Sequence, residues 1–313
     1  MTLAQPSTIA SAPWWVALSS TAIRTLPFGR YHIANALARF SNRPFLARLP
    51  EDLGGARFIC DLSDTIAREV CFTGRYEPQE TQLAQRLLKP GMTVLDVGAN
   101  WGYFTLTCAH LIGAKGRVIA LEPHPSLSAM LAANVRSNAL AQVETIAIAA
   151  GATAGTRGFV GFTQDGGNSG VSRAASASER PDFESGTVAL DDLLDTRRVA
   201  RVDLVKMDIE GGEVEAIKGM AGGLARHRYR FMVLECHPGL IAQSGSTLER
   251  CLAPLVQAGY RGWRIDHSPE MHRRAALAPV AFADMLSPID MDVLQSDPWP
   301  HLVWVAPGES LPA

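Results

Sequence analysis

The stretch TVLDVGANWGYFTL, Thr93 to Leu106, decides the fold. An apolar run ends on a carboxylate at Asp96, two glycines follow at Gly98 and Gly102, and an apolar stretch of helical spacing begins. This is the pattern of a buried strand handing over to a helix through a tight turn. Glycine lets the backbone turn sharply and a ligand approach closely. The helix that follows offers unpaired N–H groups at its start. A dinucleotide site uses these groups for pyrophosphate through GxGxxG, but here the second and third glycine positions fall on Asn100 and Tyr103. Asp96 also stands where it would repel a pyrophosphate and attract a cation. A nicotinamide dehydrogenase is therefore disfavoured.

Working outward, strands and helices alternate. GRVIALEP reads as a strand, PSLSAMLAANVRSNAL as a helix, VETIAIAA as a strand, RVDLVKMDIEG as a strand, GEVEAIKGMAGGLAR as a helix and YRFMVLECHP as a strand. STLERCLAPLVQAG reads as a helix despite Pro254, and RGWRIDH and HLVWVAP as late strands separated by a Pro-rich insertion. Upstream, ARFICDL reads as a strand, and a helical pattern from Pro78 to Leu88 stops at Lys89-Pro90-Gly91. The Ser/Gly/Ala-rich segment from Gly166 to Gly186 reads as a mobile loop. The alternation predicts an α/β fold with a doubly wound, mostly parallel sheet. Ligands bind such sheets beyond the carboxyl ends of the strands, where strand order reverses. Asp96–Gly98, Glu122, Asp208–Glu210 and Glu235–His237 occupy those ends.

The chain has 313 residues, 47% of them hydrophobic, which suits one large α/β domain with additions. The expected division is a helical N-terminal extension over 1–55, serving as a lid or dimer arm, and a ligand-binding domain over 56–313. A net charge of −2 and the lack of any Lys/Arg run disfavour nucleic acid. Five scattered cysteines without a CxxC pair read as reduced thiols, so the expected location is cytoplasmic. No apolar run reaches the roughly 18–20 residues of a membrane span. A membrane-surface helix is the weakest reading of the N-terminus, a homodimer is open, and the expected partner is a small-molecule substrate.

Glu122, one strand–helix unit after Asp96, is placed to hydrogen-bond a ribose diol. With Asp96 and the glycine turn it describes a pocket for a nucleoside with a cationic amino-acid tail, which fits S-adenosyl-L-methionine.

The segments GRYEPQETQLAQRLLKPGMTVLDVGANWGYFTL, ALEPHP, VALDDLL and VDLVKMDIEGGEVEAIKGM together resemble the FkbM family of S-adenosylmethionine-dependent methyltransferases, over roughly Ala56 to His237. DVGAxxG alone is shared by many methyltransferases; its combination with YEP upstream and KxDxEGxE downstream is much more specific. The resemblance implies a Rossmann-like class I methyltransferase fold and O-methylation of sugars, polyketides or other small metabolites of secondary metabolism. It puts Asp96, Gly98, Asn100 and Gly102 at the methionine moiety, Glu122 at the ribose and Glu77 near the ammonium group. Trp101, inside the cofactor turn, is the aromatic residue best placed to line the pocket. Ala147 and Ala149 offer adenine no side-chain hydrogen bond.

A hydroxyl acceptor benefits from a base within hydrogen-bond reach. Asp208, Glu210 and His237 are the candidate catalytic residues, Asp208 also facing the cofactor, with Glu235 and Asn168 as candidate substrate contacts. Lys206 reads as an ion-pair partner, and Glu213 as a first-turn acid favoured by the helix dipole. Asp208, Glu235 and His237 could also form a hard-metal site, but no carboxylate triad has the spacing for one, so a divalent metal is possible and not favoured. Alternatives are an N-methyltransferase on a small amine and a catalytically silent binding protein of the same fold.

Overall fold

A computed structural model describes residues 9–26, 28–41, 43–161, 172–176 and 178–312. Its strands, in chain order, are β1 (Phe45–Arg48), β2 (Arg57–Cys60), β3 (Thr93–Val97), β4 (Arg117–Leu121), β5 (Val143–Ile146), β6 (Ala149–Gly151), β7 (Gly155–Gly161), β8 (Ser172–Ala174), β9 (Phe183–Ala189), β10 (Val202–Met207), β11 (Tyr229–Glu235), β12 (Arg261–Ile265), β13 (Leu286–Pro288) and β14 (His301–Val305). Eight of them form the central sheet in the order β13-β12-β14-β11-β10-β3-β4-β5. The five strands from β11 to β5 are parallel; β14, β12 and β13 are joined antiparallel. This is the expected doubly wound, mostly parallel sheet.

Parallel strands buried on both faces need apolar residues on both. In β3, Leu95 and Val97 join one core with Ile119, Leu121, Val205 and Met207, while Val94 joins the other with Val118, Ala120 and Leu204. Successive residues of a strand point to opposite faces, which explains the division. From β3 the chain winds outward to β4 and β5, and from β10 the other way to β11. The order therefore reverses between β3 and β10, which pair with Asp96 beside Lys206 and Val97 beside Met207.

Helices Trp14–Thr25 and Arg30–Leu37 precede the β1–β2 hairpin. Their buried residues share a third core with Phe58, the Thr65–Thr73 helix and Trp101. No helix among the described residues is long and apolar enough to cross a membrane.

Two expectations need correction. VETIAIAA is two strands: β5 ends the central sheet, and β6 belongs to a separate four-stranded sheet ordered β6-β9-β7-β8. The Ser/Gly-rich segment is not wholly loop, because β8 and the start of β9 fall within it. Both pair with β7, and the β7–β9 pair carries a stack of Phe159 on Phe183 with ring centroids 5.3 Å apart.

Candidate functional site

The turn after β3 is built by backbone geometry that only a few residues accept. Gly98 has φ 85°, Asn100 φ 50° and Gly102 φ 105°. The amides of Gly98 and Ala99 both donate to the carbonyl of Leu121, tying the turn to the tip of β4. Glu122 completes the tie: its carboxylate accepts from the Asn100 amide at 2.8 Å and from the His124 amide at 2.8 Å. Burial pushes its pKa up to about 7, against these two hydrogen bonds.

A cavity of about 660 Å³ opens at this edge, at the β3/β10 switch point and within the usual range for small-ligand sites. Gly98, Asn100, Glu122, Asp208, Glu210, Glu235 and His237 lie on its wall. Six of these seven are strand-end residues of the sequence reading and Asn100 comes from the family resemblance; the fold brings them together. Ile148, Ala149 and Ala150 line one flank beside Phe159, offering apolar surface where Ala149 has no side-chain hydrogen bond to give. Four carboxylates face two basic side chains, Arg157 and His237, across this space. That excess of negative charge suits a ligand carrying a sulfonium and an ammonium group.

Four of the expected cofactor residues lie off the wall. Trp101 turns inward, 1% exposed, and stacks on Phe58 with ring centroids 4.8 Å apart, so its indole belongs to the N-terminal core. Gly102 caps the following helix against Leu131. Asp96 lies under the turn, held by the Thr105 hydroxyl, with its other oxygen buried and unpartnered. Burial pushes its pKa up to about 6. Glu77 accepts from Lys206 Nζ at 2.6 Å, and Lys206 lies 3.7 Å from Asp208. The ion-pair reading of Lys206 matches this geometry. Asn168 falls outside the described residues.

His237 is held between carboxylates at both ring nitrogens. Its Nδ1 is 2.8 Å from Glu213, and its Nε2 is 3.1 Å from Glu210 and 3.5 Å from Glu235. Burial alone would lower its pKa, but hydrogen bonds to Glu213 and Glu235 and the charges of Glu213 and Glu210 raise it to about 11. Carboxylates at both nitrogens favour the protonated ring. Glu213 is fully buried and serves His237, a role beyond its place in a first helical turn. Burial raises the pKa of Asp208, and that of Glu210 to about 7.

Beneath Glu235 lies a second buried group that the sequence did not suggest. Glu80 takes His267 Nε2 at 2.6 Å and His301 Nδ1 at 2.9 Å, and His301 Nε2 is 3.8 Å from Glu235. Tyr76, Arg157 and Trp299 also reach the wall. Tyr76 belongs to the YEP segment and was findable on that ground; Arg157 and Trp299 carried no local signal.

The model of the methyltransferase FkbM domain matches residues 96–261, more than half of the 313-residue chain. The hexuronic acid methyltransferase AglP of Haloferax volcanii is 28% identical over 149 residues, covering 46% of this chain and 56% of that protein. Protein-L-isoaspartate O-methyltransferase 1 of Arabidopsis thaliana is 45% identical over 58 residues, 18% of this chain and 25% of its own length. The chain thus spans about a quarter of that relative and about half of AglP. Among solved structures, an S-adenosylmethionine-dependent O-methyltransferase of Thermotoga maritima aligns at 15% identity over 78% of this chain and 72% of its own, with a TM-score of 0.38. Aeropyrum pernix fibrillarin aligns at 14% identity over 74% and 80%, with a TM-score of 0.39.

Proposed function

The chain belongs to the FkbM methyltransferase family, and on that premise we propose that it moves a methyl group from S-adenosyl-L-methionine to a hydroxyl of a small metabolite, with a sugar or glycoside as the favoured acceptor. The observation that carries this reading is the acid-rich cavity at the β3/β10 switch point. Similarity to a hexuronic acid methyltransferase supports a carbohydrate acceptor.

The methyl donor supplies an electrophilic carbon and its own leaving group. What the chain must do is position, exclude water and accept a proton. The Gly98 turn and Asn100 form the floor against which the amino-acid tail lies. Glu122, with both oxygens oriented by backbone amides, has lone pairs left for a ribose diol. Asp208, Glu210 and Glu235 crowd the opposite side, where the acceptor enters, and their carboxylates are the groups that can take its proton. The N-terminal helices pack on the Thr65–Thr73 helix, which carries Ile66 to the wall, and we assign them the role of a lid.

Incubation with the methyl donor and a panel of uronic acids, neutral sugars, glycosides and polyketides, read by mass spectrometry, tests this. A gain of one methyl on a hydroxyl compound is expected. Methylation confined to amines overturns the acceptor class, and failure of calorimetry to detect S-adenosylhomocysteine binding overturns the whole reading.

A further inference from the structure

The donor atoms of Asp208, Glu235 and His237 all lie within 4.8 Å of one another on the cavity wall. They come from the ends of two neighbouring strands, so their sequence spacing hides what the fold assembles. We propose that these three side chains bind one divalent cation of the manganese or magnesium kind. The inference rests on the methyl-transfer reading only for the cation's role, not for its binding.

The geometry of His237 is the main support. A metal-binding histidine characteristically gives its second ring nitrogen to a carboxylate, which fixes the ring and its tautomer. Nδ1 of His237 is held in that way by Glu213, 2.8 Å distant, fully buried and outside the ligand set. Nε2 is thereby aimed at Glu235 and Glu210. A cation there would take the lone pair that otherwise carries a proton. Ligands of an octahedral ion with bonds of about 2.1 Å stand roughly 3–4.2 Å apart, so the three donors need only a small contraction. Two carboxylates and one imidazole suit a manganese-like ion, with water or substrate oxygen at the remaining positions.

Charge supports the same assignment. Lys206 and His301 are the other basic groups beside the cluster, and each has a closer partner elsewhere: Glu77 at 2.6 Å against Asp208 at 3.7 Å for Lys206, and Glu80 at 2.9 Å against Glu235 at 3.8 Å for His301. The His237 ring, 3.1 Å from Glu210 and 3.5 Å from Glu235, is then the basic group nearest these carboxylates. The Glu80, His267 and His301 group is a poorer candidate. Its two rings lie face to face, centroids 3.5 Å apart and only 12° from parallel. Lone pairs in such parallel planes do not converge on one ion.

A bound cation would hold the acceptor oxygen beside the methyl donor and lower the pKa of its hydroxyl. Asp208 and Glu235 would then act by holding the cation, and Glu210 would be the carboxylate left to take the proton.

The test is a manganese titration of the chelator-treated full chain, followed by the free-ion electron paramagnetic resonance signal. One ion per chain is expected. Asp208→Asn and Glu235→Gln should each weaken binding by more than the roughly 10–100-fold typical of a residue that only supports a ligand, while Glu80→Gln leaves it unchanged. Circular dichroism confirms that each variant is folded. No binding by the wild type at millimolar manganese overturns the proposal, as does binding lost in Glu80→Gln and retained in Asp208→Asn. Calorimetry with S-adenosylhomocysteine separates the two readings. Nucleoside binding and methyl transfer without manganese binding remove the cation alone. Manganese binding without nucleoside binding leaves the site standing and removes the proposed function.

Discussion

A β-carbon placed on Gly98 would stand 1.8 Å from the backbone carbonyl oxygen of Asp208. The obstacle is main chain, and Gly98 also sits at φ 85°, so neither a rotamer change nor a small shift relieves it. The tips of β3 and β10 are held together further by the Asp208 amide donating to Val97 at 3.0 Å. Gly98→Ala should therefore push the two tips apart. The expected result is a loss of several kcal/mol in denaturant unfolding, of the size seen for overpacking plus an unfavourable φ, and no measurable nucleoside binding. A variant that unfolds and binds like the wild type would contradict this contact.

Asp96 gives a pH-dependent prediction. Burial raises its pKa from 3.8 to about 6, and the Thr105 hydrogen bond offsets this only in part. A carboxyl whose pKa is higher folded than unfolded favours the fold fully below pH 3.8, and that advantage is lost as pH rises through about 6. At pH 8 the ionised group costs about 2–3 kcal/mol. Asp96→Asn should be more stable than the wild type at pH 8 by about 2 kcal/mol, with the gain shrinking between pH 6 and 4. Urea unfolding across that range reads the difference directly; a gain independent of pH would assign it to packing.

Lys206 and Glu77 form a pair in which both partners are more than nine-tenths buried. Removing one partner strands the other, at a cost of about 3–5 kcal/mol. Lys206→Met should show that loss, and the double variant Lys206→Met with Glu77→Gln should recover a large part of it. A double variant as unstable as the single one would show that the alkyl stem of Lys206, not its charge, matters there.

Glu122→Gln keeps the size of the side chain but replaces one acceptor oxygen with an amide donor. Either the Asn100 or the His124 amide then loses its partner, and the ribose contact loses its charge. The amide left unpaired should lower folding stability by about 1–3 kcal/mol, and affinity for S-adenosylhomocysteine should fall at least tenfold, about 1.4 kcal/mol. Calorimetry measures it; unchanged affinity would move the ribose elsewhere in the cavity.

Where structure is dictated locally, the sequence was sufficient. The Thr93–Leu106 stretch carries its own strand period, turn glycines and helix start, and the strand tips it implied do converge on one cavity. Trp101 shows the limit. Its place in the turn is local, but its direction is set by Phe58, 43 positions earlier in the numbering. His237 shows another: its surroundings are set by Glu213, Glu210 and Glu235, brought in from a neighbouring turn and its own strand end. The strands β8 and β9 arise from a composition that favours loops, because cross-strand pairing and the Phe159–Phe183 stack override weak propensity.

The position of β14 has a consequence for how the molecule is made. It follows β12 and β13 in the chain yet lies between β11 and β12, pairing with both. During synthesis the strand that joins these neighbours is thus the last of the set to leave the ribosome. Until it emerges, β11 and β12 each expose an unsatisfied ladder of amides and carbonyls, a template for association with other chains. A stall before Val305 would leave an assembly-prone intermediate even though the nucleoside-facing half of the sheet had already been translated.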